Sequence, residues 1–103
     1  MMPLSSKERA ALRAEAHRLT ATVHVGHHGL TDAVRQSLDD DLRTHELVKI
    51  QFTKTAGVTV KEAANDLARA IGADVVQVIG RTATLFRENP ELKRTEDSPP
   101  WRR

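Results

Sequence analysis

Apolar residues recur every three or four positions in three stretches of the chain and alternate with polar ones in the segments between, so helices and strands are expected to alternate. Ser5-Ser6-Lys7-Glu8 has the form of a capping box, with Ser5 as cap and Glu8 three residues on. It predicts a helix to about His17, with Leu12, Ala16 and Leu19 as a narrow apolar stripe. Thr22-Val23-His24-Val25 is β-branched at period two and predicts a short strand. Leu30, Val34, Leu38 and Leu42 follow at intervals of four, the core-facing line of a second helix over about 32–44. Leu47 to Phe52 predicts the next strand, with Val48, Ile50 and Phe52 inward and Lys49 and Gln51 outward.

Lys54-Thr55-Ala56-Gly57 is a predicted loop, and Thr59-Val60-Lys61-Glu62 repeats the capping-box pattern. Val60, Ala63, Ala64, Leu67, Ala68 and Ile71 then form the apolar face of a third helix, which Gly72 closes. Val75 to Ile79 is nearly continuously apolar, which predicts a central strand covered on both faces. Gly80-Arg81 supplies a two-residue hairpin with glycine first, as a type II′ turn requires, and Thr82 to Arg87 returns as the last strand. The order α-β-α-β-α-β-β predicts an α/β fold, a four-stranded mixed sheet packed with helices.

A chain of 103 residues with no repeat is expected to form one domain over residues 1–92. From Glu88 the periodicity stops. Pro90, Pro99 and Pro100 with mixed charges predict a disordered tail over 93–103, where Trp101 is the one residue able to stack on a base. No cysteine is present, which excludes disulfides and thiolate chemistry. The absence of a long apolar run and of a basic-apolar leader points to a cytoplasmic protein with no membrane partner.

Net charge is only +2, so its distribution carries more information than its sum. Residues 1–38 hold Lys7, Arg9, Arg13, Arg18 and Arg35 against Glu8, Glu15 and Asp32, together with His17, His24, His27 and His28. Positive potential therefore gathers around Gly26-His27-His28-Gly29, which lies between a strand and a capped helix. Glycines there permit close approach of another backbone, and the helix N-terminus offers unpaired N–H groups and a positive dipole end. Those are the physical requirements of a GxxG clamp on a nucleic-acid backbone.

Other constellations are weaker. His24, His27 and His28 lack the fourth ligand that a structural zinc site needs. Asp39-Asp40-Asp41 on consecutive helical positions point in different directions, which suits a solvated acidic face better than magnesium. No nucleophile–histidine arrangement can be defended, so neither catalysis nor a cofactor or metal is expected. Lys49, Lys54, Arg81 and Arg87 are each equally explained as ordinary surface charge.

Four ordered blocks resemble the CRM domain, the chloroplast RNA splicing and ribosome maturation module, in its bacterial stand-alone YhbY-type form. They are Leu4-Ser5-Ser6-Lys7; Val25-Gly26-His27-His28-Gly29-Leu30-Thr31; His45-Glu46-Leu47-Val48-Lys49-Ile50; and Val76-Gln77-Val78-Ile79-Gly80-Arg81-Thr82, leading to Leu85-Phe86-Arg87. Together they span about residues 4–92. The resemblance implies a fold similar to the C-terminal domain of translation initiation factor 3, preceded by an extra helix. It also implies RNA binding, a role in large-ribosomal-subunit assembly on a pre-ribosomal particle, and no catalysis. A monomer is expected. Carried over by position, the RNA-binding residues are Gly26, His27, His28 and Gly29, with Lys49 and Arg81 at positions where basic residues recur. Arg9 and Arg13, a turn apart on the first helix, complete the expected basic surface. A protein-docking adaptor on the ribosome, or a DNA-binding relative of the same topology, are the competing functions.

The pair between the glycines departs from comparable loops, where a lysine or arginine often stands. Imidazole has a reference pKa of about 6.5, so His27 and His28 carry only part of a charge at neutral pH. RNA affinity is therefore expected to rise as pH falls from about 7.5 to about 6. A binding titration across that range checks this; a flat wild-type profile, or one unchanged in the His27→Asn/His28→Asn variant, refutes it.

Overall fold

The computed structural model describes residues 5–26, 29–53 and 59–92. Its elements follow the predicted order: α1 (Ser6–Ala16), β1 (Val23–Val25), α2 (Asp32–His45), β2 (Leu47–Phe52), α3 (Val60–Ile71), β3 (Asp74–Ile79) and β4 (Thr82–Phe86). The expected loop at Lys54–Gly57, His27, His28 and the segment from 93 onward, with Trp101, lie outside the described residues.

Local chemistry starts each helix where the pattern places it. At α1 the capping box closes in both directions, Ser5 Oγ accepting from the Glu8 N–H and Glu8 Oε1 accepting from the Ser5 N–H, each at 3.1 Å. Those contacts hold the Glu8 carboxyl below its ordinary range, the Ser5 backbone N–H contributing most. A depressed carboxyl stabilises the fold above its unfolded pKa, so the cap is intact at neutral pH and is released as acid protonates it. Thr31 and Thr59 cap α2 and α3 by accepting from the Val34 and Glu62 N–H groups. At the end of α3, Gly72 takes the left-handed conformation, φ +69°, that terminates helices.

The strands form one sheet in the order β1-β2-β4-β3. β1 runs parallel to β2, and the two remaining pairings are antiparallel. β3 is therefore an edge strand, not the central one that its apolar run suggested. The run reflects coverage of both faces. Val75 and Val78 pack with the α2/α3 core, whereas Val76 joins the cluster under α1. A β-bulge between Val75 and Gln77 changes the parity, so that Val75 and Val78, three residues apart, share the α2/α3 face. Gly80, at φ +56°, turns the β3–β4 hairpin, and Arg81 does not share the positive φ that a type I′ turn would demand of it.

Two cores result. The larger joins Leu38 and Leu42 of α2 and Ala64 and Leu67 of α3 to Val23, Val25, Val48, Ile50, Phe52, Ala83 and Leu85 of the sheet. On the opposite face, Leu12 packs with Leu47, Val76 and Phe86. α1 thus covers only the end of its sheet face where β2 begins and β4 finishes.

That same end is tied by polar groups. Arg87, thought of as surface charge, is mostly covered. Its guanidinium donates to Asp39 Oδ1 at 2.8 Å, to the Asp39 carbonyl at 3.1 Å and to the Ile71 carbonyl at 3.0 Å. Glu46, 1% exposed and held at φ +65°, accepts from the Asn89 N–H at 2.7 Å through its carboxylate. Removing the Arg87 head group leaves three acceptors partly unsatisfied. Arg87→Met is expected to cost about 2 kcal/mol of unfolding free energy. Urea denaturation checks this, and a loss below about 0.5 kcal/mol, the range of ordinary surface changes, refutes it.

Candidate nucleic-acid interface

Strand directions decide which loops meet. Val25, the end of β1, pairs with Phe52, the end of β2. The Phe52 N–H donates to the Arg81 carbonyl at 2.8 Å, which brings the β3–β4 hairpin to the same end of the sheet. Thr53 completes the join, its N–H and hydroxyl both donating to the Val25 carbonyl, at 2.9 and 3.0 Å. Gly26, Arg81 and the N-termini of α2 and α3 therefore gather at one edge of the molecule.

The glycine loop is a turn. The Gly29 N–H donates to the Gly26 carbonyl at 3.0 Å, and the Thr31 N–H donates to the Gly29 carbonyl at 3.0 Å. Two amides expected to be bare are thus used within the chain. The amides of Asp32 and Ala33 in the first turn of α2 carry no partner among the described residues, since the Thr31 hydroxyl takes only that of Val34. The Asp32 carboxylate sits at the same helix start and opposes an incoming anion, but Arg35 neutralises it at 2.7 Å. Gly29 needs its residue type for its own backbone, at φ +74°. Gly26 has no such need, and a Cβ built there meets nothing within 4 Å. Nothing among the described residues explains that glycine.

Charge is sorted between the two sides of the sheet. On the α2/α3 side and beyond β4, every arginine is ion-paired: Arg35 with Asp32, Arg43 and Arg87 with Asp39, and Arg69 with Asp66. The three consecutive aspartates are also occupied separately, Asp39 by those arginines, Asp40 by Gln36 and Asp41 by the Thr22 hydroxyl. By contrast Arg9, Arg13 and Arg81 make no side-chain hydrogen bond or ion pair among the described residues. Arg9 and Arg13 lie on the flank of α1 beside its buried Leu12–Ala16 stripe, and Arg81 is exposed at the hairpin tip.

Lys49 is placed differently from the other cations. It is half-buried beneath α1, its Nζ 3.3 Å from the Ala16 carbonyl oxygen and 3.5 Å from that of Leu19. The Ala16 carbonyl ends α1 and also accepts from the Leu19 N–H, and a cation beside it suits the helix dipole. Its outward position in the strand pattern was correct; the helix docked over that face was not visible in the pattern.

Sequence reasoning also passed over a row on the same sheet face, at the end α1 leaves uncovered. His24, Gln51, Thr82 and Ile79 are successive register partners on β1, β2, β4 and β3. The polar alternation of β1 and β2 was the available signal for the first two. Ile79 was hidden in an apolar run.

The geometry defines a small α/β domain with a half-open sheet face, a glycine turn with Arg81 at one end of the sheet, and Arg9 and Arg13 on α1 without a partner among the described residues. The chain belongs to the CRS1 / YhbY (CRM) domain family, whose model matches residues 4–87. It is 33% identical over 93 residues to a Haemophilus influenzae protein named RNA-binding protein, covering 90% of this chain and 94% of that one. Probable RNA-binding protein YqeI of Bacillus subtilis is 30% identical over 93 residues, covering 90% and 97%. The solution structure of the Staphylococcus aureus protein SAV1595 superposes with a TM-score of 0.76 at 31% identity, over 91% of this chain and 98% of that chain.

Lys49 is expected to act chiefly on α1. Lys49→Met should lower stability by about 1 kcal/mol, read by thermal or urea unfolding with a helix-sensitive signal. Unchanged stability would return Lys49 to the pool of surface cations.

Proposed function

We propose that this protein binds RNA through its glycine turn, with Gly26 and Gly29 admitting the sugar–phosphate backbone and the free amides at the start of α2 facing a phosphate. Gly26 carries the reading: a Cβ there would meet nothing within 4 Å and its φ is not positive, so close approach of a ligand backbone supplies a reason for a residue without a side chain. His27 and His28 stand between the two glycines and supply hydrogen bonds or stacking. Arg81, Arg9 and Arg13 add positive charge that no carboxylate among the described residues cancels. Lys49 contributes by fixing α1 on the sheet. The names of the Haemophilus and Bacillus relatives agree with RNA as the ligand.

The finer reading is assembly of the large ribosomal subunit, on precursor ribosomal RNA within a pre-ribosomal particle, by a cytoplasmic monomer without catalysis. Family membership supports it.

Filter binding to large-subunit RNA fragments over a salt series tests both levels. The log–log slope should approach about −0.7 for each phosphate neutralised on a single strand. Gly26→Asp/Gly29→Asp should remove most retention, because two carboxylates then occupy the anion site. Gly29→Asp also carries about 1 kcal/mol of backbone strain, so folding is monitored by circular dichroism. RNA retention unaltered in a folded double variant refutes the glycine turn as the binding site. Equal competition by DNA of the same sequence favours the DNA-binding alternative, and a slope near zero favours docking through protein.

A further inference from the structure

Beyond the glycine turn, the uncovered half of the sheet has its own recognition chemistry. The row His24–Gln51–Thr82–Ile79 crosses all four strands on the face opposite α2 and α3. At the spacing of neighbouring strands it measures roughly 14 Å, a width on which four-stranded sheets hold two or three bases. His24, Gln51 and Ile79 are exposed, and Ile79, at 51%, is the exposed large hydrophobic among the described residues. The His24 and Gln51 side chains form no hydrogen bond among the described residues, whereas the Thr82 hydroxyl donates to the Ile79 carbonyl at 2.9 Å and fixes the end of the row.

The order of chemistry along the row is informative. An imidazole, a carboxamide, a hydroxyl and a branched alkyl group offer one stacking plane, donors and acceptors for a base edge, and an apolar seat. No carboxylate interrupts the row, and Arg81 stands at its rim next to Ile79. The row is also continuous with the glycine turn, because Gly26 directly follows the strand that carries His24. A polymer backbone held at Gly26–Gly29 thus has its next residues beside an uncharged platform, flanked by positive charge. Phosphates would be held at the turn and the rim, and bases on the sheet.

We propose that this row is a base-binding platform for a single-stranded RNA segment whose backbone is held at the Gly26–Gly29 turn. The proposal rests on the RNA reading above and adds which part of the RNA is read and by which residues. Its occupant must present unpaired bases, because a duplex keeps its base planes inside the stack.

Two labelled oligonucleotides of equal length serve as probes, one single-stranded RNA with bases and one abasic at its central positions. Anisotropy titrations compare wild type, His24→Ala/Ile79→Ser, and Gly26→Asp/Gly29→Asp. The wild type should prefer the base-bearing strand by about tenfold, the order expected for one stacked base. His24→Ala/Ile79→Ser, both at exposed positions, should lose that preference while keeping the wild-type salt slope. The glycine variant should lose affinity for both strands alike. A wild type without preference, or a sheet variant that keeps it in full, overturns the platform. Failure of the wild type to bind either strand overturns the RNA reading itself, which is a separate result.

Discussion

The parallel pairing of β1 with β2 is the constraint on which the arrangement of the site depends. Two adjacent parallel strands must be joined by a crossover, here α2, so the chain leaves β1 and re-enters β2 at opposite ends of the sheet. The Gly26–Gly29 turn is forced to the edge where β2 also finishes. Antiparallel pairing of β4 with β2 then delivers the Gly80–Arg81 hairpin to that edge. Had β1 run antiparallel to β2, the glycine turn would lie at the far end, among the contacts of Glu46 and Arg87. The glycine turn and the hairpin meet because of strand direction, with no long-range side-chain contact needed to assemble them.

Coverage of the sheet explains which surface is left for a ligand. One face is filled by α2 and α3 over a continuous apolar core, and every arginine there is matched to an aspartate. The other face receives only α1, whose short apolar stripe reaches Leu47, Val76 and Phe86 and stops. Lys49 marks the border: on one side the helix end it neutralises, on the other Gln51 and His24 in the open. Burying Leu12 therefore both stabilises the domain and defines where the open platform begins.

Much of this was legible from residue spacing. Caps at Ser5 and Thr59, the four-residue line from Leu30 to Leu42, Gly72 as terminator and the Gly80–Arg81 turn are local signals, and local physics determines them. Strand order is not local. The run Val75–Ile79 implied coverage on both faces, which is true, but coverage does not distinguish a central strand from an edge strand lying under two helices. Charge partners were equally out of reach. Arg87 and Arg81 look alike in the chain, yet one is spent on Asp39 and the other has no partner among the described residues. Only the register, which sets Ile79 opposite Thr82 and Gln51 opposite His24, reveals a row made of residues far apart in sequence.

The two ends of the sheet divide stability from the proposed recognition surface. At the far end, side chains are committed to the fold: Arg87 to Asp39 and Ile71, Glu46 to Asn89, and the Asn89 amide to the Arg43 carbonyl. Glu46 even accepts a left-handed backbone there, strain that the surrounding contacts hold in place. At the near end the joins are made by backbone groups and the short hydroxyls of Thr53 and Thr82. Long side chains at that end, those of His24, Gln51, Ile79 and Arg81, are consequently not required to hold the structure. A domain this small has little core to spare, and separating the two demands along the strand axis lets substitutions at the proposed recognition end leave the stabilising end intact.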